Sequence, residues 1–243
     1  MRRRSTSPPH PGVAFRGMAD TSQDLDAART FYTRISTVYD ALADRDEHRA
    51  RELGLSLLGV QAGERILEIG FGTGSSIVPL AAAVGASGHV CGIDIAPGMK
   101  TVAEQRVRTA KAAAMVDLRV AAVPPIPFDD AAFDAVFMAF TLELFPDDTI
   151  PAVLGEVRRT LDPRGRFAAV SMALGTNEQR HRMPERIYIW MHRHFPHIVD
   201  CRPIDVERRL TEAGFTLARV ERLEIWGLPV VACLCTSVRA ISA

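Results

Sequence analysis

Residues 65–74 read R-I-L-E-I-G-F-G-T-G, and this stretch decides the fold. A short apolar run of strand character breaks into glycines at 70, 72 and 74, then gives way to the helix-like pattern S-S-I-V-P-L-A-A-A-V. The pattern predicts a strand, a tight turn and a helix start. Glycines suit such a turn because they reach backbone angles closed to other residues and let a ligand lie against the main chain. The free N–H groups of the first helical turn would face that ligand.

Further on, G-H-V-C-G-I-D-I predicts a second short strand ending at Asp94. A doubly wound fold places a carboxylate there to hold two ribose hydroxyls. Two nucleotide-like cofactor classes could use this frame. A dinucleotide fingerprint would need a third glycine at position 75, which is Ser75, and would bring a pyrophosphate near Glu68. A carboxylate is a poor neighbour for a diphosphate and a tolerable one for a ligand carrying an ammonium and a sulfonium.

The motifs E-I-G-F-G-T-G and G-I-D-I-A-P-G-M, followed by F-D-D-A-A-F-D-A-V-F and L-D-P-R-G-R-F, resemble those of the class I S-adenosylmethionine-dependent methyltransferases. The resemblance is to the type 11 group, which contains the ubiquinone and menaquinone biosynthesis C-methyltransferases, with phospholipid N-methyltransferases nearby; it runs from Phe31 to the C-terminus. It implies an α/β, Rossmann-like fold: a seven-stranded, mostly parallel sheet with an antiparallel final strand and helices on both faces. The implied cofactor is S-adenosyl-L-methionine. The implied activity is methyl transfer to a small or amphipathic acceptor such as a quinol or phenol carbon or oxygen. Alternatives are N-methylation of a phospholipid or small amine, and a non-methylating rearrangement or regulatory role. A short-chain NAD-dependent reductase is disfavoured by Ser75, Glu68 and the lack of a Y-x-x-x-K pair after the fourth strand.

By the same resemblance, Gly70, Gly72 and Gly74 carry the methionine portion, Glu68 helps with its cationic end, and Asp94 accepts from the ribose hydroxyls. Ile95 lies against adenine or ribose; Met99 either borders that pocket or fills space beneath its helix. The family's acid on the adenine amino group would stand at Ala122, followed by Val123. This departure leaves three readings: adenine is read by backbone and a neighbouring side chain, the cofactor is bound weakly, or the register is shifted by a residue or two.

The chain has 243 residues, enough for one large domain, and 29 basic against 29 acidic residues. With zero formal net charge, no global field draws it to nucleic acid. No apolar run reaches membrane-spanning length, the longest being broken by Gly227 and Pro229. Residues 1–24 are expected to be a disordered tail, since no apolar core follows the initial arginines. A cytoplasmic location is expected, with peripheral membrane contact and a homodimer left open. Cys91, Cys201, Cys233 and Cys235 have no C-x-x-C spacing, which argues for a reducing compartment and against a metal site.

Residues 25–243 are read as one domain. Residues 25–58 form its helical cap: a first helix over 25–42 and a second over 44–58, whose charges, among them Arg45, Glu47, Arg49, Arg51 and Glu52, are read as solvated surface. The resemblance places Tyr39 near the methionine end, with Tyr32 a second candidate; both could instead be core aromatics. A long helix is predicted over 99–115. Ala139 falls at the end of the predicted fourth strand, against the cofactor, so Glu143 faces either the methyl-transfer region or a helix terminus. Residues 172–202 are a long insertion, read as a substrate lid. His192, His194 and His197 in it lack the i, i+4 spacing of H-E-x-x-H. A base is needed only if the acceptor must lose a proton, and His181, Glu143 and His192 are the candidates.

Overall fold

The computed structural model describes residues 44–174, 203–225 and 228–237. Helix α1 (Asp44–Leu58) leads into β1 (Arg65–Ile69) and the glycine turn. Then follow α2 (Ile77–Val84), β2 (His89–Asp94), α3 (Pro97–Thr109), β3 (Val116–Val120) and β4 (Phe133–Ala139). A 3-10 turn (Leu142–Leu144), α4 (Ile150–Thr160) and β5 (Leu161–Met172) come next, and α5 (Val206–Glu212), β6 (Phe215–Ile225) and β7 (Leu228–Ser237) close the described chain.

The seven strands form one sheet in the order β3-β2-β1-β4-β5-β7-β6. The pairs from β3 across to β5 are parallel, and β7 runs antiparallel to both of its neighbours. Parallel strands are covered on both faces, so their side chains alternate between two cores. Ile66, Phe137 and Val170 share one core with Ala50, Leu58, Ile77 and Ala103. Leu67, Ile69, Val136, Met138 and Phe167 share the other with Val153, Val157 and Leu210. Helix α1 lies close on the first face because Gly54 has no side chain: a Cβ there would come within 2.3 Å of Val170 Cγ2.

One helix is shorter than expected. The helix predicted over 99–115 stops at Thr109, where Lys111 takes φ +58, and a separate 3-10 turn covers Ala113–Met115. Helix α5 starts at Val206, where Asp205 caps it, its carboxylate accepting from Arg208 N at 3.2 Å. Strand β5 takes in the L-D-P-R-G-R stretch. Cys91, Cys233 and Cys235 are buried free thiols, and burial pushes the first two up to about 11 and about 12. No described helix is long and apolar enough to cross a membrane. The first cap helix, most of the insertion (175–202) and Cys201 lie outside the described residues.

Candidate active site

The tips of β1 and β2 are tied together by backbone. Gly70 N donates to Ile93 O at 2.7 Å. Gly72 N donates to Asp94 Oδ2 and Ala96 N to Asp94 Oδ1, both at 2.8 Å. Each carboxylate oxygen still has a lone pair available to a hydroxyl. Burial raises the Asp94 pKa, and the backbone donors of Ala96, Gly72 and Ile95 oppose the rise.

The three glycines of the turn have different surroundings. All have positive φ, +74 at Gly70, +53 at Gly72 and +82 at Gly74. A Cβ on Gly70 would strike Thr141, and one on Gly74 would approach Ala103 Cβ to 2.9 Å. A Cβ on Gly72 would meet nothing within 4 Å. Gly72 therefore presents bare backbone to open space, as a cradle for a ligand requires.

Glu68 shares the β1 face of Ile66 and is flanked in register by Gly92 and Phe137. It is 2 % exposed, and burial pushes its pKa up to about 8 against the pull of Arg51 and the nearby Ser76. Among the described residues neither Glu68 Oε2 nor Ser76 Oγ has a hydrogen-bond partner. A buried acceptor in this state suits an incoming cationic donor.

Arg51 was missed by sequence reading. Its side chain is 16 % exposed, its guanidinium lies 3.4 Å from Glu47 and 5.9 Å from the Phe140 ring centroid, and its charge is felt at Glu68. The expectation of solvated charges on α1 holds for Arg49 and Glu52, which are exposed, and fails for Glu47 and Arg51. The signal was present: positions 47, 51, 54 and 58 continue one helical stripe with Ala50.

On the other side of the strand tips, β4 ends at Ala139, followed by Phe140 at φ +53 with its N–H on Val170 O. Such a backbone is costly for an aromatic residue and is held by its surroundings. Thr141 Oγ1 donates to Ala139 O at 3.0 Å. Glu143 is 1 % exposed; Oε1 accepts from Met172 N at 3.1 Å, and Oε2 has no partner among the described residues. Burial pushes its pKa up to about 7; Glu47 adds to the rise, while the Met172 N–H and Ser171 oppose it. It caps no helix, being held inside the 3-10 turn against the end of β5.

The remaining candidates are placed as follows. Ile95 is partly buried beside Asp94; Met99 is 2 % exposed and packs in the core of Ala96, Ala103 and Val107. Ala122 is exposed and Val123 half-buried, next to Ala121, whose N–H donates to Asp94 O at 3.0 Å. Tyr32, Tyr39, His181, His192, His194 and His197 lie outside the described residues.

Open backbone at Gly72, two hydrogen-bonded oxygens on Asp94 and an unpartnered carboxyl oxygen on Glu68 fit a nucleoside with a positively charged end. The family model described as "Methyltransferase domain" matches residues 66–165, which carry Glu68, Gly72 and Asp94. A 2-phytyl-1,4-naphtoquinone methyltransferase of Trichormus variabilis is 32% identical over 155 residues, 62% of this chain and 67% of that protein. A demethylmenaquinone methyltransferase of Symbiobacterium thermophilum is 32% identical over 144 residues, 57% of this chain and 56% of that protein. The chain thus spans between just over half and about two thirds of these relatives' length. The fold is shared with a SAM-dependent methyltransferase from Aquifex aeolicus, with TM-score 0.62 and 22% identity, over 84% of this chain and 98% of that one. With this sheet order, this glycine turn and these relatives, the chain belongs to the class I S-adenosylmethionine-dependent methyltransferases and is related to their quinone-modifying members.

Proposed function

We propose that the protein methylates a ring carbon of a reduced, quinol-type acceptor. The observation that carries this reading is the 32% identity to a naphthoquinone-named methyltransferase over 155 residues. The chemistry of Glu143 supports it. A quinol ring carbon becomes strongly nucleophilic when a ring hydroxyl loses its proton, and a buried carboxyl with a pKa near 7 and a free oxygen is suited to take that proton.

When bound, S-adenosylmethionine supplies a methyl group already activated by positive sulfur. The protein's own task is therefore chiefly to position and to exclude water. Gly72 offers backbone to the methionine portion, and Glu68 accepts from its ammonium. Arg51, the cation beside Glu68, is suited to the carboxylate of the same portion. Asp94 accepts from the ribose hydroxyls while its backbone donors keep its oxygens in place. Glu143 is held by Met172 N, and its other oxygen receives the acceptor's proton. His181 and His192 remain further candidates for that base.

The test is incubation with methyl-labelled S-adenosylmethionine and a panel of a naphthoquinol, a benzoquinol, a simple phenol and an ethanolamine lipid, read by mass spectrometry. Label on a quinol ring carbon is expected. Label on the lipid nitrogen alone would replace this reading with the amine one, and label on none of the panel would overturn it.

A further inference from the structure

The segment joining β3 to β4 lies beside Asp94 and is fastened at both of its ends. At its start, Ala121 N donates to Asp94 O at 3.0 Å. From Ile126 onward it is bound to one arginine of α4. Arg159 Nη2 donates to Ile126 O at 2.9 Å, and Nη1 donates to Phe128 O and to Asp130 Oδ1, both at 2.8 Å. Its Nε and Nη2 donate to the two oxygens of Glu156, each at 2.8 Å. All five N–H donors of the guanidinium are thus used. Glu156 Oε2 in turn accepts from Ile126 N at 2.8 Å, and Ala131 N donates to Arg159 O at 2.9 Å. The Phe128 ring lies under Arg119 at 4.2 Å and meets Phe133 edge-on.

Only residues 122–125 remain between the two tethers, and Pro124 and Pro125 have fixed φ and no N–H. The N–H groups left in this span belong to Ala122 and Val123, and no hydrogen bond joins either to a described residue. Ala122 cannot supply the side-chain acceptor that an acid there would have provided. A 6-aminopurine edge presents an acceptor beside a donor, and a held N–H with a held carbonyl is its complement.

We propose that Arg159, with Glu156, is a positioning residue for base recognition. It holds the backbone of residues 122–125 so that main-chain groups read the adenine beside Asp94. The inference rests on the cofactor reading above and adds a residue that touches neither cofactor nor acceptor.

The test compares two probes by calorimetry, S-adenosylhomocysteine and its inosine counterpart, which differs only in the base and reverses the donor and acceptor of the edge. The full chain should bind the adenosine form at least tenfold more tightly. In Arg159→Ala this ratio should fall to within about threefold, with the adenosine form weakened and the inosine form little changed. Glu156→Gln, which keeps side-chain shape and one acceptor oxygen, should lower the ratio in the same direction and carries the test if the arginine variant does not fold. A ratio unchanged in a folded variant, with only the melting temperature lowered, would make Arg159 a structural brace and overturn the proposal. An unmodified chain that binds both probes equally would overturn it too, whereas one that binds neither would sink the cofactor reading itself.

Discussion

A Cβ on residue 70 would lie 2.3 Å from Oγ1 of Thr141, so the first glycine of the turn and the threonine beyond β4 occupy one shared volume. The glycine turn after β1 and the loop beyond β4 are thereby in direct contact. Gly70→Ala should lower stability by about 1–3 kcal/mol, from overpacking and from φ +74, measured by urea unfolding. Thr141→Gly on that background should restore part of the loss, because it removes the clash and leaves the backbone strain. Gly72→Ala meets no clash and should cost only about 1 kcal/mol in stability while weakening S-adenosylhomocysteine binding far more. Unchanged binding by Gly72→Ala would mean that this backbone does not face the ligand.

Asp94 accepts from two N–H groups and is expected to accept from two hydroxyls as well. Asp94→Ala should raise the cofactor Kd tenfold or more, since one decade is about 1.4 kcal/mol and a charged hydrogen bond contributes about 1.5–3 kcal/mol. Asp94→Asn should also bind poorly, because its amide N–H₂ would confront the N–H of Gly72 or of Ala96. A Kd unchanged in both variants, measured by calorimetry, would remove Asp94 from the site.

Glu68 has a folded-state pKa of about 8 against an ordinary 4.5. A carboxyl raised on folding favours the native state fully below its unfolded pKa, and that contribution is lost as pH climbs from about 4.5 to about 8. Glu68→Gln should therefore flatten the stability profile over this window and be the more stable form at its upper end. A cationic ligand should lower the Glu68 pKa, so binding near pH 7 should release a proton. Calorimetry in two buffers of different ionisation enthalpy measures that release, which Glu68→Gln should abolish.

As the proposed base, Glu143 would work only when ionised, so turnover should rise with pH through about 7 and then level off. Glu143→Gln should remove this limb and lower kcat about 10²-fold or more, with S-adenosylhomocysteine affinity within twofold of the unmodified chain. Equal loss in both quantities would assign Glu143 to holding the end of β5 through Met172 instead.

Much of this site was legible because its signals are local. Glycines at 70, 72 and 74 and the short apolar runs ending at Ile69 and Asp94 mark conformations that neighbouring residues alone demand. Glu143 could be located along the chain, but its environment could not: burial against β5, the Met172 N–H and the unpartnered oxygen come from a strand and a turn far apart in sequence. Arg51 belongs to a stripe that is visible along α1, but the charge pattern on a helix does not say which face meets the sheet. Met99, left between pocket and core, packs in the core because α3 turns it inward beside Ala103.

By itself, the sequence determined the strand-turn-helix at the centre, the two carboxylates around it and the family, since strand period, positive-φ glycines and motif spacing are properties of contiguous residues. The tertiary structure alone decided that Thr141 closes over Gly70, that Arg51 stands beside Glu68, and that Arg159 grips the loop after β3. Those pairings depend on strand order and register, which set distances between residues remote along the chain.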